Sequence, residues 1–575
     1  MGVAEDLSAM LAHLKQARQP FEPEWREAAD LALPGASRGM RIGSGGSALD
    51  QVIDQPSSRI GARRRFESLP MRMGSMLASG MESLATPQGE TWHGYETDNL
   101  FGGEPQDEET QYFERLTRYS FATRYAARSG FSVANQMAIR SAVFFGTGVM
   151  MTEENVSGGP ELPCLYRYIP LSQAYIGVNV RGEVDTVFRV VQLEARQIMQ
   201  TPAYAKGASE QVKSASSNPA RANQLFEIVH AVFPRGEAGS ARNAFRNSEF
   251  ASFTMETASK AMLEERGYDE FPYSVYWWEP AEQGGYGDGA IGLAIDDIRS
   301  LNFARKQGGI SVAMALRPPV AVAHDGVMMR PNLNPGAFNH AGIDANGRPR
   351  IQPLLPPPDI GAIQAVVETE RRQLQSALYS DLFATLAQNP EMTATEALIR
   401  QNEKGDLLGP VGTRIQSALA RMNDREIGIY GRLGAFEPGS VLEPPDQLAG
   451  RRFSVRWTSP LDRLRRAKEV IGTQRLIEFA VPVLTNERAL SSRFDIDAML
   501  ETARTGFGAP ASLMLTDAER EAARRAAAAQ EQAAMAAQAA PGVAKAARDG
   551  AEAAKTAAGV PGLADALGAL QGQAA

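Results

Sequence analysis

Two adjacent carboxylates, Asp296 and Asp297, and the glycine-rich run GGYGDG from Gly284 to Gly289 are the residues of this 575-residue chain most suggestive of chemistry. An Asp pair can ligate a divalent metal that activates water for phosphodiester hydrolysis. Both, however, sit in a segment of helical period, where an acidic pair off the apolar stripe reads as a solvated face. The glycine run precedes a helix as a phosphate cradle does. The GxxxxGK[ST] spacing is absent, so a loop leading into the helix is the simpler reading and no nucleotide-hydrolysing motor is expected. The five histidines, His13, His93, His230, His324 and His340, lie far apart with no HExxH pair, and no metal site follows from them. The single cysteine, Cys164, rules out a disulfide framework and a Cys-based zinc site, and reads as a buried inert thiol. No catalytic, cofactor-binding or metal-ligating residue is assigned. Two enzymatic rivals stay open: a cytosolic multidomain enzyme whose site is assembled from distant residues, and a nucleic-acid-processing enzyme using Asp296-Asp297 with a divalent metal, whose activity would be lost on Asp297→Asn.

Charge narrows the partners. Lys and Arg number 59 against 67 Asp and Glu, a formal charge of −8. The basic clusters GARRRFE (Gly61–Glu67) and LDRLRRAKE (Leu461–Glu469) are short and read as surface helix faces. Contact with nucleic acid would therefore be loose, without the basic stripe of a tight binder. No apolar run approaches the ~20 residues that span a bilayer. SAVFFGTGVMM (Ser141–Met151) is short and carries two glycines, and the N-terminal MGVAEDLSAM lacks signal-peptide order. A soluble intracellular product with no membrane partner is expected.

The elements that must position any site read as α+β. Residues 5–33 and 60–85 have helical period. In the second, Phe66, Leu69, Met73, Met76, Leu77 and Met81 form the stripe, Pro70 starts or kinks it, and Pro87 and Gly89 end it. Residues 107–152 read as helical. From about 161 the period changes, and CLYRYIPLSQAYIGVNVRGEVDTVFRVVQ predicts strands with a turn at Arg181-Gly182. FEIVHAVFP and SVYWWEP add further strands, and Trp277-Trp278 reads as core or interface packing. Residues 1–287 thus form one mixed domain. Ile291, Ala294, Ile295, Ile298 and Leu301 then make a helical stripe over 288–315, interrupted or ended by Gly308-Gly309. Residues 316–358 are dense in proline and glycine, which excludes helix. A second helix follows at 359–386, with Ile360, Ile363, Val367, Leu374, Leu378 and Leu382 near a heptad seam.

The stretch QNPEMTATEALIRQNEKGDLLGPV (Gln388–Val411) is a polar loop joined to a long, capped helix. Asn389-Pro390 signals the loop, because the residue before proline avoids the helical region. Thr393 and Glu396 have capping-box spacing. Leu408, Val411, Ile415, Leu419 and Met422 give the long helix its apolar face, and Gly409-Pro410 predicts a kink. Residues 450–458 read as a strand, the region from 461 as helical, and half of residues 521–560 are alanine, either a helix or a disordered tail.

Six segments, in order, resemble the portal or head-to-tail connector proteins of short-tailed double-stranded DNA bacteriophages (podoviruses). They are LASGMESLATPQGETW (Leu77–Trp92), FFGTGVMM (Phe144–Met151), YIPLSQAYIGVNVRGEVDTVFR (Tyr168–Arg189), YGDGAIGLAIDDIRSLN (Tyr286–Asn302), MTATEALIRQNEKGDLLGPV (Met392–Val411) and WTSPLDRLRRAKE (Trp457–Glu469). The likeness spans about residues 5–510 and leaves out the alanine-rich tail.

The resemblance implies a non-enzymatic ring of about twelve copies at one capsid vertex. It implies a wing (1–287), stem helices (288–315 and 359–386), a clip (316–358) and a tunnel loop (387–392, with Gln388, Asn389, Pro390, Glu391 and Met392 nearest the DNA). A long kinked helix with wing return (393–460) and a crown (461–516) would complete the subunit, ahead of the tail at 517–575. Implied partners are the terminase large subunit, tail adaptors, and the major capsid and scaffolding proteins. Double-stranded DNA would pass through the channel, held weakly and without sequence preference. The product would assemble in the host cytoplasm and end in the virion. Arg299, Arg305, Lys306, Arg371 and Arg372 on the stem helices are candidates for brief DNA contacts. No cofactor is implied.

Overall fold

The computed structural model describes residues 2–33, 65–97, 107–237, 248–282, 284–316, 320–322, 346–353, 359–380, 394–445 and 453–462, with isolated positions elsewhere. It is a mixed helix-and-sheet chain. Two N-terminal helices, α1 (Val3–Arg18) and α2 (Glu22–Ala32), precede α3 (Leu69–Ala85). Strand β1 (His93–Thr97), α4 (Asp107–Arg124), α5 (Phe131–Phe145) and β2 (Thr147–Glu154) follow.

The expectation of one helical run over 107–152 is therefore corrected. Gly130 (φ 78) and Gly146 (φ 81) bound α5 in the left-handed region that glycine tolerates, and the chain beyond Gly146 is strand. Residues Thr147–Thr152 of β2 are all buried. A strand covered on both faces shows an unbroken apolar run that period alone cannot tell from a buried helix.

The next strands are β3 (Cys164–Ile169), β4 (Ala174–Val178) and β5 (Val184–Glu194), with the 179–183 turn closed by the Gly182 N–H on the Asn179 carbonyl at 2.9 Å. Three short helices, α6 (Ala195–Gln200), α7 (Pro202–Gly207) and α8 (Glu210–Ser217), lead into β6 (Leu225–Pro234). Strands β7 (Phe250–Glu256), β8 (Met262–Tyr268) and β9 (Tyr273–Trp277) complete two antiparallel sheets, ordered β4-β5-β6-β7-β8 and β3-β2-β9. Leu7, Leu11 and Leu14 of α1 cover Phe188, Val229 and Phe253 on one face of the larger sheet. Ile198 and Val212 of the short helices meet Phe226, Ile228 and Leu263.

A two-residue ladder, β10 (Glu279–Pro280) with β11 (Gly287–Asp288), leads into α9 (Ala290–Leu293) and α10 (Ile295–Leu316). The glycines of GGYGDG mark a close approach. A Cβ on Gly146 would collide with the Gly287 carbonyl, and one on Gly289 would meet the Val143 carbonyl at 2.8 Å. That crossing ties the segment Phe144–Met151 to Tyr286–Asn302. Contrary to the sequence reading, Gly308-Gly309 neither interrupts nor ends α10; the helix runs on to Leu316, with Gly308 close against Ile363 of the helix that follows the proline-rich region.

Strands β12 (Val320–Val322) and β13 (Ile351–Pro353) pair antiparallel within the proline-rich region. Helix α11 (Ile360–Ala377) follows. Leu378 caps it, and Tyr379, left-handed at φ 54, breaks the helix there, while 381–386 of the expected helix lie outside the described residues. Helix α12 (Ala394–Arg432) and β14 (Phe453–Trp457) close the described chain, and β14 pairs with β1 from His93–Trp457 to Thr97–Phe453. One main core runs through these parts, from Trp25, Met81 and Phe144 to Leu301, Leu374, Leu408, Ile415 and Met422.

Candidate functional site

Helices α10 and α11 meet along a narrow apolar seam. Helix α10 buries Ile298 and Leu301, and α11 buries Val367 and Leu374. Asp359 caps α11 by accepting the Ala362 N–H at 3.1 Å. Beyond the seam α10 presents apolar side chains to solvent: Phe303 is 62% exposed and Leu316 77%, with Ile310, Val312 and Met314 also exposed.

The five cations of α10 and α11 have distinct surroundings. Arg299 forks onto Glu27 of α2, Nε–Oε1 2.6 Å, and reaches Asp296 at 2.6 Å. These contacts push its pKa further up, the Glu27 hydrogen bond first. Arg305 and Arg371 converge on Glu67, at 3.3 and 2.9 Å. Lys306 stands 5.8 Å over the Phe66 ring. Arg372 is exposed and has no partner among the described residues. Burial opposes ionisation of Glu67, but the hydrogen bonds from Arg371 and from the Ser68 and Leu69 N–H groups prevail and lower its pKa.

Gln388, Asn389, Pro390, Glu391, Met392 and the proposed cap Thr393 lie outside the described residues, as do Leu382 and most of 461–516. Glu396 falls on the first turn of α12, with its side chain outside the description. Helix α12 runs unbroken in secondary structure through Gly409 and Pro410. Proline has no N–H for the carbonyl four residues back; the Thr413 hydroxyl meanwhile donates to the Gly409 carbonyl at 3.0 Å. Leu408, Val411, Ile415, Leu419 and Met422 are all buried.

What fastens the far half of α12 had no sequence signal. Arg124 and Glu426 form a fully buried ion pair. Arg124 also donates to the Asn423 Oδ1 at 2.6 Å and lies 2.7 Å from His93 Nε2, and the Tyr166 hydroxyl donates to Glu426. Burial and the Arg124 charge hold the His93 pKa well below 6.5. Nearer the surface, Arg425 reaches Glu270 at 2.6 Å, and Arg432 joins Glu154 at 3.0 Å. Arg124 and Glu426 each look in sequence like an exposed helical charge; only the packing of α4 against α12 shows otherwise.

Two cavities flank these elements. One of about 310 Å³ lies between Trp278, Leu293, Tyr379, Leu407 and Pro410. The other, about 420 Å³, lies at the edge of the larger sheet beside Arg421 and Asp424. Asp296 is exposed and engaged with Arg299, and Asp297 is half-buried. Among the described residues, no group of three His, Cys, Asp or Glu side chains is arranged to hold a metal. His93 and His230 sit in separate polar clusters. Cys164 is buried, and burial, with Glu426 nearby, pushes its thiol pKa up. No helix among the described residues is long and apolar enough to cross a membrane.

Residues 4–515 match the family described as bacteriophage head to tail connecting protein. The chain belongs to that family. Two curated relatives of this connecting protein span nearly its whole length. The portal protein of Salmonella phage epsilon15 is 24% identical over 543 residues, covering 92% of each chain. The probable portal protein of Bordetella phage BPP-1 is 23% identical over 540 residues, covering 91% of each. A solved virion of a native gene transfer agent particle aligns over 70% of this chain and 83% of its own, at 13% identity and a TM-score of 0.32, too low to bear on the fold.

Proposed function

We propose that this connecting protein is the portal subunit of its phage, assembling a ring of about twelve copies at one capsid vertex. Double-stranded DNA would enter through the ring during packaging and leave through it at ejection. The kinship to portal proteins over more than nine-tenths of the chain carries this reading. The exposed apolar stem supports it, since a lone chain gains nothing by leaving Phe303 and Leu316 in water. A ring interface is heterologous, so each copy must present two different surfaces to its neighbours.

In this reading α10 and α11 are the stem, 316–358 the clip that docks the terminase large subunit and later the tail adaptors, and 387–392 the tunnel loop. Residues 1–287 with the wing return form the wing, and 461–516 form the crown facing the capsid interior. Major capsid and scaffolding proteins would surround the ring as it assembles in the host cytoplasm, and the virion would be its final place. Its work would be steric and electrostatic guidance, without catalysis or cofactor. The acidic balance suits a passage that must release DNA, because each phosphate neutralised adds salt-dependent affinity.

Native mass spectrometry of the purified chain, with negative-stain images, tests the proposal. Rings of about a dozen subunits with a central hole are expected. A chain that stays monomeric or dimeric even when co-produced with its capsid and scaffolding proteins would overturn it.

A further inference from the structure

The residues before α3 form a strap across both stem helices. The Phe66 N–H donates to Asn302 Oδ1 of α10 at 2.7 Å, and the Phe66 ring lies beneath Lys306. The Glu67 side chain, 6% exposed, follows into the gap between α10 and α11. Its Oε2 accepts from Arg371 Nη2 at 2.9 Å and Nε at 3.3 Å, and stands 3.3 Å from Arg305 Nε. Its Oε1 accepts the N–H groups of Ser68 at 2.9 Å and Leu69 at 3.2 Å, the first turn of α3. One buried carboxylate thus joins the wing to both stem helices and meets a guanidinium from each.

The helices do not supply this neutralisation themselves. Residues three and four away from Arg305 are Leu301, Asn302, Gly308 and Gly309, none of them acidic. Arg371 has Glu368 one turn back at 2.9 Å, but that carboxylate is 56% exposed, and an exposed pair of this kind is weak and screened by salt. The side chains of Arg305 and Arg371 remain 47% and 28% exposed, so a phosphate could reach either if its carboxylate partner were gone.

We propose that Glu67 is a charge mask: it holds Arg305 and Arg371 away from DNA phosphates so that the stem passes DNA without gripping it. The inference rests on the portal reading, and it makes Glu67 a positioning residue for DNA passage. Charge-assisted hydrogen bonds to a buried carboxylate persist at salt concentrations that dissolve surface pairs. The mask is therefore in place under the ionic conditions in which DNA moves.

The experiment measures binding of a fluorescein-labelled linear duplex of mixed sequence to purified rings by anisotropy, across a salt series. Glu67→Gln keeps an oxygen for the α3 N–H groups while removing the charge. It is expected to tighten binding several-fold at low salt and to steepen log affinity against log salt by about 0.9 for each cation that reaches a phosphate. Adding Arg305→Gln and Arg371→Gln to that variant should restore wild-type affinity, an outcome that mere loosening of the wing would not produce. In the wild-type background Arg305→Gln alone should leave the slope unchanged. It also leaves Glu67 paired with Arg371, so it does not depend on the first variant folding. Intact rings with unchanged affinity in Glu67→Gln, or a shallower slope in Arg305→Gln, would overturn the mask. Failure of the wild-type chain to form rings would speak instead against the portal reading.

Discussion

His230 shows what a single residue adds to this fold. Its Nδ1 lies 2.8 Å from the Tyr273 hydroxyl and its Nε2 3.1 Å from the Ser252 hydroxyl. Burial first, then the charges of Arg189, Arg167 and Arg266, push its pKa down to about 3. The ring therefore stays neutral in the folded chain while the unfolded chain takes a proton below about 6.5. A group with a depressed folded pKa gives stability that is complete above the unfolded value and is lost as pH falls toward the folded one. His93, with its pKa also lowered, acts in the same direction. Thermal midpoints should accordingly fall between pH 6.5 and 4, and His230→Gln should flatten that slope. The ring is only half-buried, so about 1–2 kcal/mol is expected rather than the whole shift. A slope unchanged in His230→Gln would assign the pH dependence elsewhere. None of this is visible in FEIVHAVFP, where His230 reads as one polar residue in a strand; its partners lie 22 and 43 residues away.

Among the elements, helices with one buried stripe were legible and the fully buried strand was not. The segments 69–85, 290–316 and 360–377 carry three- and four-residue spacing because only one face meets the core. Strand β2 has no exposed face and so no period. Strands β7 and β8 escaped because ASFTMET and MLEERGY mix polar residues into a sheet whose second face is covered by short helices. The paired glycines of α10 were misread as a stop because propensity is a weak guide once a helix packs on a neighbour. A Cβ at Gly308 would meet Ile363 of α11 at 3.3 Å, whereas at Gly309 it meets nothing within 4 Å. Gly309→Ala should thus stabilise the chain by about 0.5–1 kcal/mol in chemical denaturation, the ordinary gain for a helical glycine. Gly308→Ala should gain less, because Ile363 must shift. Equal gains would mean α10 and α11 are looser than this contact implies.

For the whole molecule, the distribution of apolar surface matters more than any pocket. The main described core is continuous from α2 to α12, yet the second half of α10 contributes little to it. Phe303→Ser should leave the unfolding free energy of the separated subunit within about 0.5 kcal/mol of wild type, as for a surface change. In the proposed ring, the same change should shift sedimentation toward monomer. A proposed ring that survives Phe303→Ser unaltered would place the subunit contacts elsewhere. The six segments that carried the family likeness also find a physical reason at this scale. Two of them, Phe144–Met151 and Tyr286–Asn302, cross where Gly146 and Gly287 leave no room for a side chain. A third, Trp457–Glu469, begins on the strand that pairs with β1 and places Leu461 directly against Gly412 of the long helix.

By itself the sequence determined that the chain is a mixed α+β protein of the connector family, that a helix lies on either side of its proline-rich stretch, and that a long apolar-faced helix follows residue 393. Those features depend on short-range periodicity and on motif order, which a linear string preserves. Only the tertiary structure decided that Arg124 and Glu426 form a buried pair, that β2 is the central strand of its sheet, and that Glu67 lies between Arg305 and Arg371. Each of those joins residues from distant parts of the chain, where burial and charge pairing follow from packing and leave no mark on local spacing.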